Sequence, residues 1–189
     1  GETELTETLQ NSKLAYGALH FFQVNTPIFV KTLERMRKFV EGDEVVDYYG
    51  GVGSIAIALA DHIKKAIIIE SDQDAITYAK RNIAANQLEN FFSAYSGRAE
   101  EMGDEIKPHR VIIFDPPRAG LHPKIILQII KEKPKRIIYL SCNVVTLARD
   151  VGLLLPHYSP THTELFNFFP RTPHFEVLCI LDSSASFRE

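Results

Sequence analysis

Cysteine is scarce. Only Cys142 and Cys179 occur in 189 residues, too few for a disulfide framework and in keeping with a reducing cytoplasm. No group of cysteines and histidines has metal-ligand spacing, so no zinc or iron–sulfur site is expected in this chain. No apolar run reaches the ~18 residues that a membrane-spanning helix needs. The first twenty residues are polar and acidic, unlike a signal peptide. Positive charge is not in excess: Lys and Arg number 21 against 24 Asp and Glu, for a net charge of −3. A dedicated RNA binder is usually basic, because phosphate contacts dominate its affinity. Tight RNA binding by this chain alone is therefore not expected. Low-complexity tracts are absent too, which leaves one globular domain with a sizeable core.

What is present is a rhythm of short apolar runs and helical stretches. Residues 1–19 show no strong period and are read as an N-terminal arm or linker. A helix is expected from Thr26 as cap and Pro27 in the first turn, with Phe29, Leu33, Met36 and Val40 on one face. Strands follow at Glu44–Tyr49, Ala66–Glu70, Phe91–Tyr95, Arg110–Asp115 and Arg136–Ser141. The intervening helices are expected at Ser54–Ile63, Asp72–Asn86, Pro123–Lys131 and Val144–Leu155. Such alternation predicts an α/β fold with a parallel sheet covered on both faces. The last two runs, Thr161–Phe168 and Phe175–Leu181, have no room for a helix between them and should pair antiparallel. The basic runs Lys31–Lys38 and Lys131–Arg136 are read as solvated helix faces.

The strongest local signal is Asp47-Tyr48-Tyr49-Gly50-Gly51-Val52-Gly53-Ser54 at a strand-to-helix turn, where glycines let the backbone turn sharply and approach a ligand. Glu70 ends the next strand, placed to accept hydrogen bonds from ribose hydroxyls. The turn also fits the G-x-G-x-x-A dinucleotide pattern, so on this motif alone a nicotinamide-dependent oxidoreductase and a methyltransferase are both open. Two features favour the methyltransferase: the terminal antiparallel hairpin, and Asp115-Pro116-Pro117-Arg118 at the end of the fourth strand. Ligands bind outside the carboxyl ends of strands in open parallel sheets, and two prolines hold the carboxylate before them rigidly.

Ser141-Cys142-Asn143 follows the fifth strand just before a helix. A thiol at a helix N-terminus sits in positive partial charge, which lowers its pKa; the alternative is an inert buried cysteine, the role assigned to Cys179 inside an apolar strand. Glu176 opens another apolar strand. A partly buried glutamate has a raised pKa and can act as a general base, unless it is merely a solvated strand end.

Together these segments resemble RNA uridine-C5 methyltransferases. The likeness runs from about Phe21 to Leu181. It is carried by Phe21-Phe22-Gln23-Val24-Asn25, the glycine turn, Glu70, Asp115-Pro116-Pro117-Arg118-Ala119-Gly120, Ser141-Cys142-Asn143 with the following Val144–Asp150, and Phe169-Pro170-Arg171-Thr172-Pro173-His174-Phe175-Glu176. Val144 stands where family members usually have Pro, and Asn167 where they usually have Asp. Gly50 and Ser54 stand in place of a common Cys and Asn. The resemblance implies a Rossmann-like class I S-adenosylmethionine-dependent methyltransferase domain over residues 20–189, with a mostly parallel seven-stranded sheet. It implies Gln23, Tyr49, Ser54, Glu70 and Asp115 as cofactor-site residues, Cys142 as nucleophile and Glu176 as proton acceptor. It also implies a cytoplasmic enzyme acting on tRNA or 23S ribosomal RNA, whose grip on RNA relies on an N-terminal RNA-binding domain outside this sequence, and whose isolated domain has low activity. Cytosine-C5 enzymes with a similar sheet carry a cysteine after Asp-Pro-Pro; Arg118 at that position favours uridine. A cofactor-binding but inactive RNA-binding module is the remaining alternative.

Overall fold

The computed structural model describes residues 4–184; residues 1–3 and 185–189, at the outer ends of the two expected segments, lie outside the described residues. After the N-terminal segment come α1 (Thr26–Met36), β3 (Asp43–Tyr48), α2 (Ser54–Ala58), β4 (Ile63–Glu70), α3 (Gln73–Ala85) and β5 (Phe92–Ser96). They are followed by β6 (Val111–Phe114), α4 (Pro123–Glu132), β7 (Arg136–Ser141), α5 (Val144–Leu154), β8 (Tyr158–Phe166) and β9 (Glu176–Ser183). These seven strands form one sheet in the order β5-β4-β3-β6-β7-β9-β8. The first five are mutually parallel, whereas β9 runs antiparallel to both β7 and β8. The expected mostly parallel sheet ending in an antiparallel hairpin is thus observed.

The central strands read as continuous apolar runs because both their faces are covered. Val45, Ile68, Ile113, Ile138 and Leu140 point to a layer holding α1, α2 and α3; Val46, Ile69, Ile112, Phe114 and Tyr139 point to the layer of α4 and α5. The chain leaves β3 first toward β4 and β5, then returns to the other side for β6 and β7. That reversal opens a crevice at the carboxyl ends of β3 and β6, the position where doubly wound sheets bind ligands.

Three local departures from expectation have physical causes. The cap of α1 is Asn25, not Thr26: its side chain accepts from Ile28 N, and its amide donates to Phe168 O at 3.0 Å. A carboxamide can serve a helix end and a distant loop at once, which a threonine cap cannot. The helix expected through Ile63 stops at Ala58 and continues only as a 3₁₀ turn at Ala60–His62, because Ile63 already pairs with Asp43 in the sheet.

The third departure is in the segment without a sequence period, which forms an antiparallel hairpin of β1 (Glu4–Leu9) and β2 (Ser12–Gly17). Only Leu9 and Leu14 are buried apolar anchors there, too few to mark a strand. Its register is held from α3 instead. Asn82 exchanges two hydrogen bonds with the backbone of Ala15, at 2.8 and 2.9 Å, and Asn86 does the same with Lys13, at 3.1 and 2.9 Å. Two carboxamides here take the place of a neighbouring strand. No helix among the described residues is long and apolar enough to cross a membrane.

Candidate active site

Strand register assembles the site. Tyr48 on β3 pairs with Ile69 on β4 and Phe114 on β6, so the next residues of these strands, Tyr49, Glu70 and Asp115, emerge side by side at the carboxyl edge. On the other flank Ser141 of β7 pairs with Val177 of β9. One step beyond that pair, Cys142 and Glu176 face the same edge. The resulting row places the carboxylate of Asp115 between the glycine turn and the thiol.

The turn after β3 is built for close approach. Tyr49 has φ +61°, the left-handed region that a non-glycine residue occupies only when its surroundings impose it. Gly53, with φ +87°, supplies the residue before α2 at no such cost. Glu70 is held before any ligand arrives: one carboxylate oxygen accepts from Gly51 N at 3.2 Å, the other from Ser71 N at 2.6 Å and Asp72 N at 2.9 Å. A cavity of about 230 Å³ lies above this turn, and Gln23, Tyr49, Ser54, Glu70 and Asp115 all line it. A second, of about 870 Å³, continues past Tyr49 and Glu70 along Arg98, Ala99, Pro117 and Ile126. Cys142 and Glu176 line neither; Asp115 connects them electrostatically to the smaller cavity.

The titratable groups of this crevice are predominantly acidic and poorly hydrated. Burial pushes the Asp115 carboxyl up to about 7. Glu176 is only 4 % exposed, and burial, reinforced by Asp115 and opposed by Arg118, takes it to about 8. The Cys142 thiol moves above its usual range because of burial and the neighbouring Glu176 and Asp115 charges, with Arg118 opposing. This corrects the expectation of a thiol acidified by α5. Asn143, not Cys142, caps that helix and takes Val145 N at 3.1 Å, so the helix amides are spent one residue beyond the sulfur.

A polar scaffold fixes these loops. Asn143 and Thr146 donate to Arg118 O at 3.0 and 3.2 Å, and the Arg118 guanidinium donates to His174 Nδ1 at 3.0 Å. The Asp115, Cys142 and Glu176 segments are thereby tied to one another. Buried Asp150 accepts from Leu121 N, Tyr139 Oη and Arg149 Nε at 2.8, 2.9 and 2.8 Å, anchoring the loop after Asp115. The fold also brings the ligating atoms of His20, Asp72 and Asp74 within 4.8 Å of one another, although no sequence spacing joins them. Asp72 is the cap of α3, where its carboxylate accepts from Asp74 N and Ala75 N.

Asp47 is the residue that sequence reasoning left without a role. It is fully buried, with one oxygen accepting from Ala56 N at 3.2 Å and the other without a partner among the described residues. Burial, with lesser contributions from Asp115 and Glu70, raises it to about 7. A buried unpaired acceptor calls for an explanation; Asp47 lines neither cavity and lies beneath the glycine turn, which it ties to the start of α2 through Ala56 N. Because the folded pKa lies above the unfolded value, the group's contribution to stability declines as pH rises from about 4 toward 7. Asp47→Asn should therefore raise Tm at pH 8 by roughly 5 °C, while weakening cofactor binding about tenfold. Differential scanning calorimetry and titration calorimetry check the two halves; a variant that is less stable and binds equally well refutes the assignment.

Sheet order, glycine turn and the acid ending β4 define the fold of the class I S-adenosylmethionine-dependent methyltransferases. The same fold at 20% identity is seen in the tRNA m1G37 methyltransferase of Methanocaldococcus jannaschii, with a TM-score of 0.74 over 96% of this chain and 57% of that one. More narrowly, residues 4–184 match the tRNA (Uracil-5-)-methyltransferase family model, and the chain belongs to that family. It is 35% identical to the tRNA (uracil(54)-C(5))-methyltransferase of Pyrococcus horikoshii over 96% of this chain and 43% of the relative. The solved Pyrococcus abyssi tRNA (uracil-54, C5)-methyltransferase, in complex with S-adenosyl-L-homocysteine, is 33% identical with a TM-score of 0.81, covering 96% of this chain and 45% of that one. The chain thus spans less than half the length of these relatives.

Proposed function

We propose that this chain is the catalytic unit of an S-adenosylmethionine-dependent methyltransferase that modifies C5 of a uridine in RNA, with tRNA the favoured substrate. The observation that carries the reading is the row of strand ends in which Asp115 both lines the cavity beside the glycine turn and acts on Cys142 and Glu176. The cavity fits the cofactor. On its lining Gln23 Oε1 is buried and unpartnered, and Glu70, fixed by the N–H groups of Gly51, Ser71 and Asp72, offers a carboxylate to ribose hydroxyls. In this reading Gln23, Tyr49, Ser54, Glu70 and Asp115 hold the cofactor. When bound, S-adenosylmethionine supplies an electrophilic methyl group.

The protein's own part is to make C5 nucleophilic and then to release the product. The Cys142 thiol gives up its proton to solvent and the thiolate sulfur adds to C6 of the uracil, forming an S–C6 bond. The C5–C6 π electrons move toward C5 and O4, giving the enolate character that C5 needs to accept a methyl group. Glu176 then takes the C5 proton; the electrons of that C–H bond restore the C5–C6 double bond as S–C6 breaks. One difficult substitution becomes two easier steps. The base must leave its stack to reach Cys142. The names of the relatives support tRNA over ribosomal RNA, and the greater part of the RNA grip is assigned to segments those longer relatives possess.

A direct test uses RNA carrying 5-fluorouridine, whose C5 fluorine cannot leave as a proton does. Incubation with S-adenosylmethionine should give a protein–RNA adduct stable to denaturation and mapping to Cys142. An adduct at another residue, or none under conditions where methyl transfer to normal RNA is measured, rules out the mechanism.

A further inference from the structure

We propose that the cleft between α1 and β8 is a track for the sugar–phosphate backbone of the RNA, leading away from the active-site mouth. This rests on the reading that RNA is the substrate, and it gives that substrate a binding surface on this chain. The basic run over Lys31–Lys38 looks like an ordinary solvated helix face in sequence. Folding makes it one wall of a cavity of about 530 Å³ whose other wall is Glu164–Asn167 of β8 and the residue beyond it.

Charge complementarity identifies the occupant. Lys31, Arg35, Arg37 and Lys38 line the cleft against Glu34 and Glu164. Arg35 is committed to Glu164, with contacts of 2.5 and 3.2 Å. Lys31, Arg37 and Lys38 are exposed and form no ion pair among the described residues. In a chain of net charge −3, this concave surface concentrates unpaired cations, which is what a polyanion selects. A concave cleft fits a chain of phosphates better than a convex helix face does. Leu165, 57% exposed, adds an apolar contact on the same wall.

Position supports the same occupant. Asn25, at the start of α1, is bonded to Phe168 O, so the upper end of the cleft adjoins the loop that leads to Glu176. Gln23, two residues before Asn25, lines the cofactor cavity. From Asn25 to Lys38 the helical rise spans roughly 20 Å, the length of a few nucleotides. The loop above the cleft carries exposed Arg171, and Arg118 meets His174 at its far end. Cationic side chains therefore continue from the mouth into the cleft.

The test compares the full chain with a variant carrying Lys31→Glu, Arg37→Glu and Lys38→Glu. A control variant carries Lys64→Glu, Lys65→Glu and Lys124→Glu, which changes net charge equally at other exposed sites. Binding of fluorescently labelled tRNA transcript is followed by anisotropy over a range of salt. The cleft variant should bind at least tenfold more weakly, with the slope of log affinity against log salt shallower by about 2. The control should lose less than threefold, and S-adenosylhomocysteine binding should be unchanged in both. Unchanged RNA affinity in the cleft variant, an equal loss in the control, or no RNA binding by the parent chain overturns the track. The 5-fluorouridine adduct separates the two proposals: if it forms in all three proteins while the cleft variant binds normally, the track fails and the catalytic reading stands.

Discussion

Cys142→Ala is expected to reduce methyl transfer to RNA by at least ~10³-fold, corresponding to about 4 kcal/mol of lost transition-state stabilisation. The reason is chemical. Uracil C5 carries too little electron density to take a methyl group until a nucleophile has added at C6, and no other sulfur is placed to do so. Cys179 lies in the middle of β9, buried and paired across the sheet with Tyr139 and Thr163. The variant should fold normally, since Cys142 is only partly buried and belongs to neither apolar core cluster. It should also bind S-adenosylhomocysteine within twofold of the parent, because Cys142 lines neither cavity. That combination separates a nucleophile from a residue that shapes the cofactor site. Cys142→Ser should fail as fully, because a serine hydroxyl in this negative surrounding does not ionise. Methyl transfer retained in Cys142→Ala, measured with a segment that restores RNA grip, would end the covalent mechanism.

Much of this site could be read from residue order, for a definite reason. Class I sheets place the ends of successive strands along one edge, so motifs that each follow a strand converge without detailed knowledge of packing. Tyr49, Ser54, Glu70 and Asp115 share one cavity for that reason, and Gln23, which follows no strand of the sheet, joins them from the segment before α1. Cys142 and Glu176 share an edge because the last strand runs antiparallel, bringing its beginning to the end of β7. What sequence could not show was set by side chains acting across large separations. Asn82 and Asn86 hold the first hairpin by satisfying its backbone, and polar side chains in a helix give no periodic signal. Asn25 looks like a residue before a cap until its bond to Phe168 is known. Asp47 resembles any acid at the end of a strand, and only its burial with an empty acceptor singles it out.

The thiol is the clearest example of local reasoning overtaken by context. A cysteine beside a helix start predicts acidification when the helix is considered alone. Here the cap is one residue further on, and burial, reinforced by the charges of Glu176 and Asp115, shifts the thiol upward. A nucleophile whose pKa is raised is quiet in the free protein. Arg118, which opposes the shift, is itself bonded to His174. Binding that neutralises Glu176 or draws Arg118 toward the sulfur would raise the thiolate fraction only when substrate is present.

Glu176→Gln should separate the two halves of the reaction. Removing the base leaves the nucleophile and the cofactor site in place, so addition to C6 and methylation of C5 can still proceed. The C5 proton then has no acceptor, the electrons needed to expel sulfur are not released, and the RNA stays bound to Cys142. Turnover should fall by roughly 10²–10⁴, the usual contribution of a positioned base, while a methylated covalent adduct accumulates on ordinary uridine. The pH dependence gives an independent sign. In the parent both the thiol and a glutamic acid near 8 must lose protons, so turnover should rise through about pH 8 and continue upward as the thiol ionises. Gln carries no charge to hold the thiol pKa up, so adduct formation in the variant should begin at lower pH than in the parent. Stopped reactions resolved on denaturing gels across pH 6–10, with a labelled methyl group, measure both effects. Release of methylated RNA at the parent rate, or an adduct that appears only at higher pH, would mean that another group removes the proton and that Glu176 does not press on the sulfur.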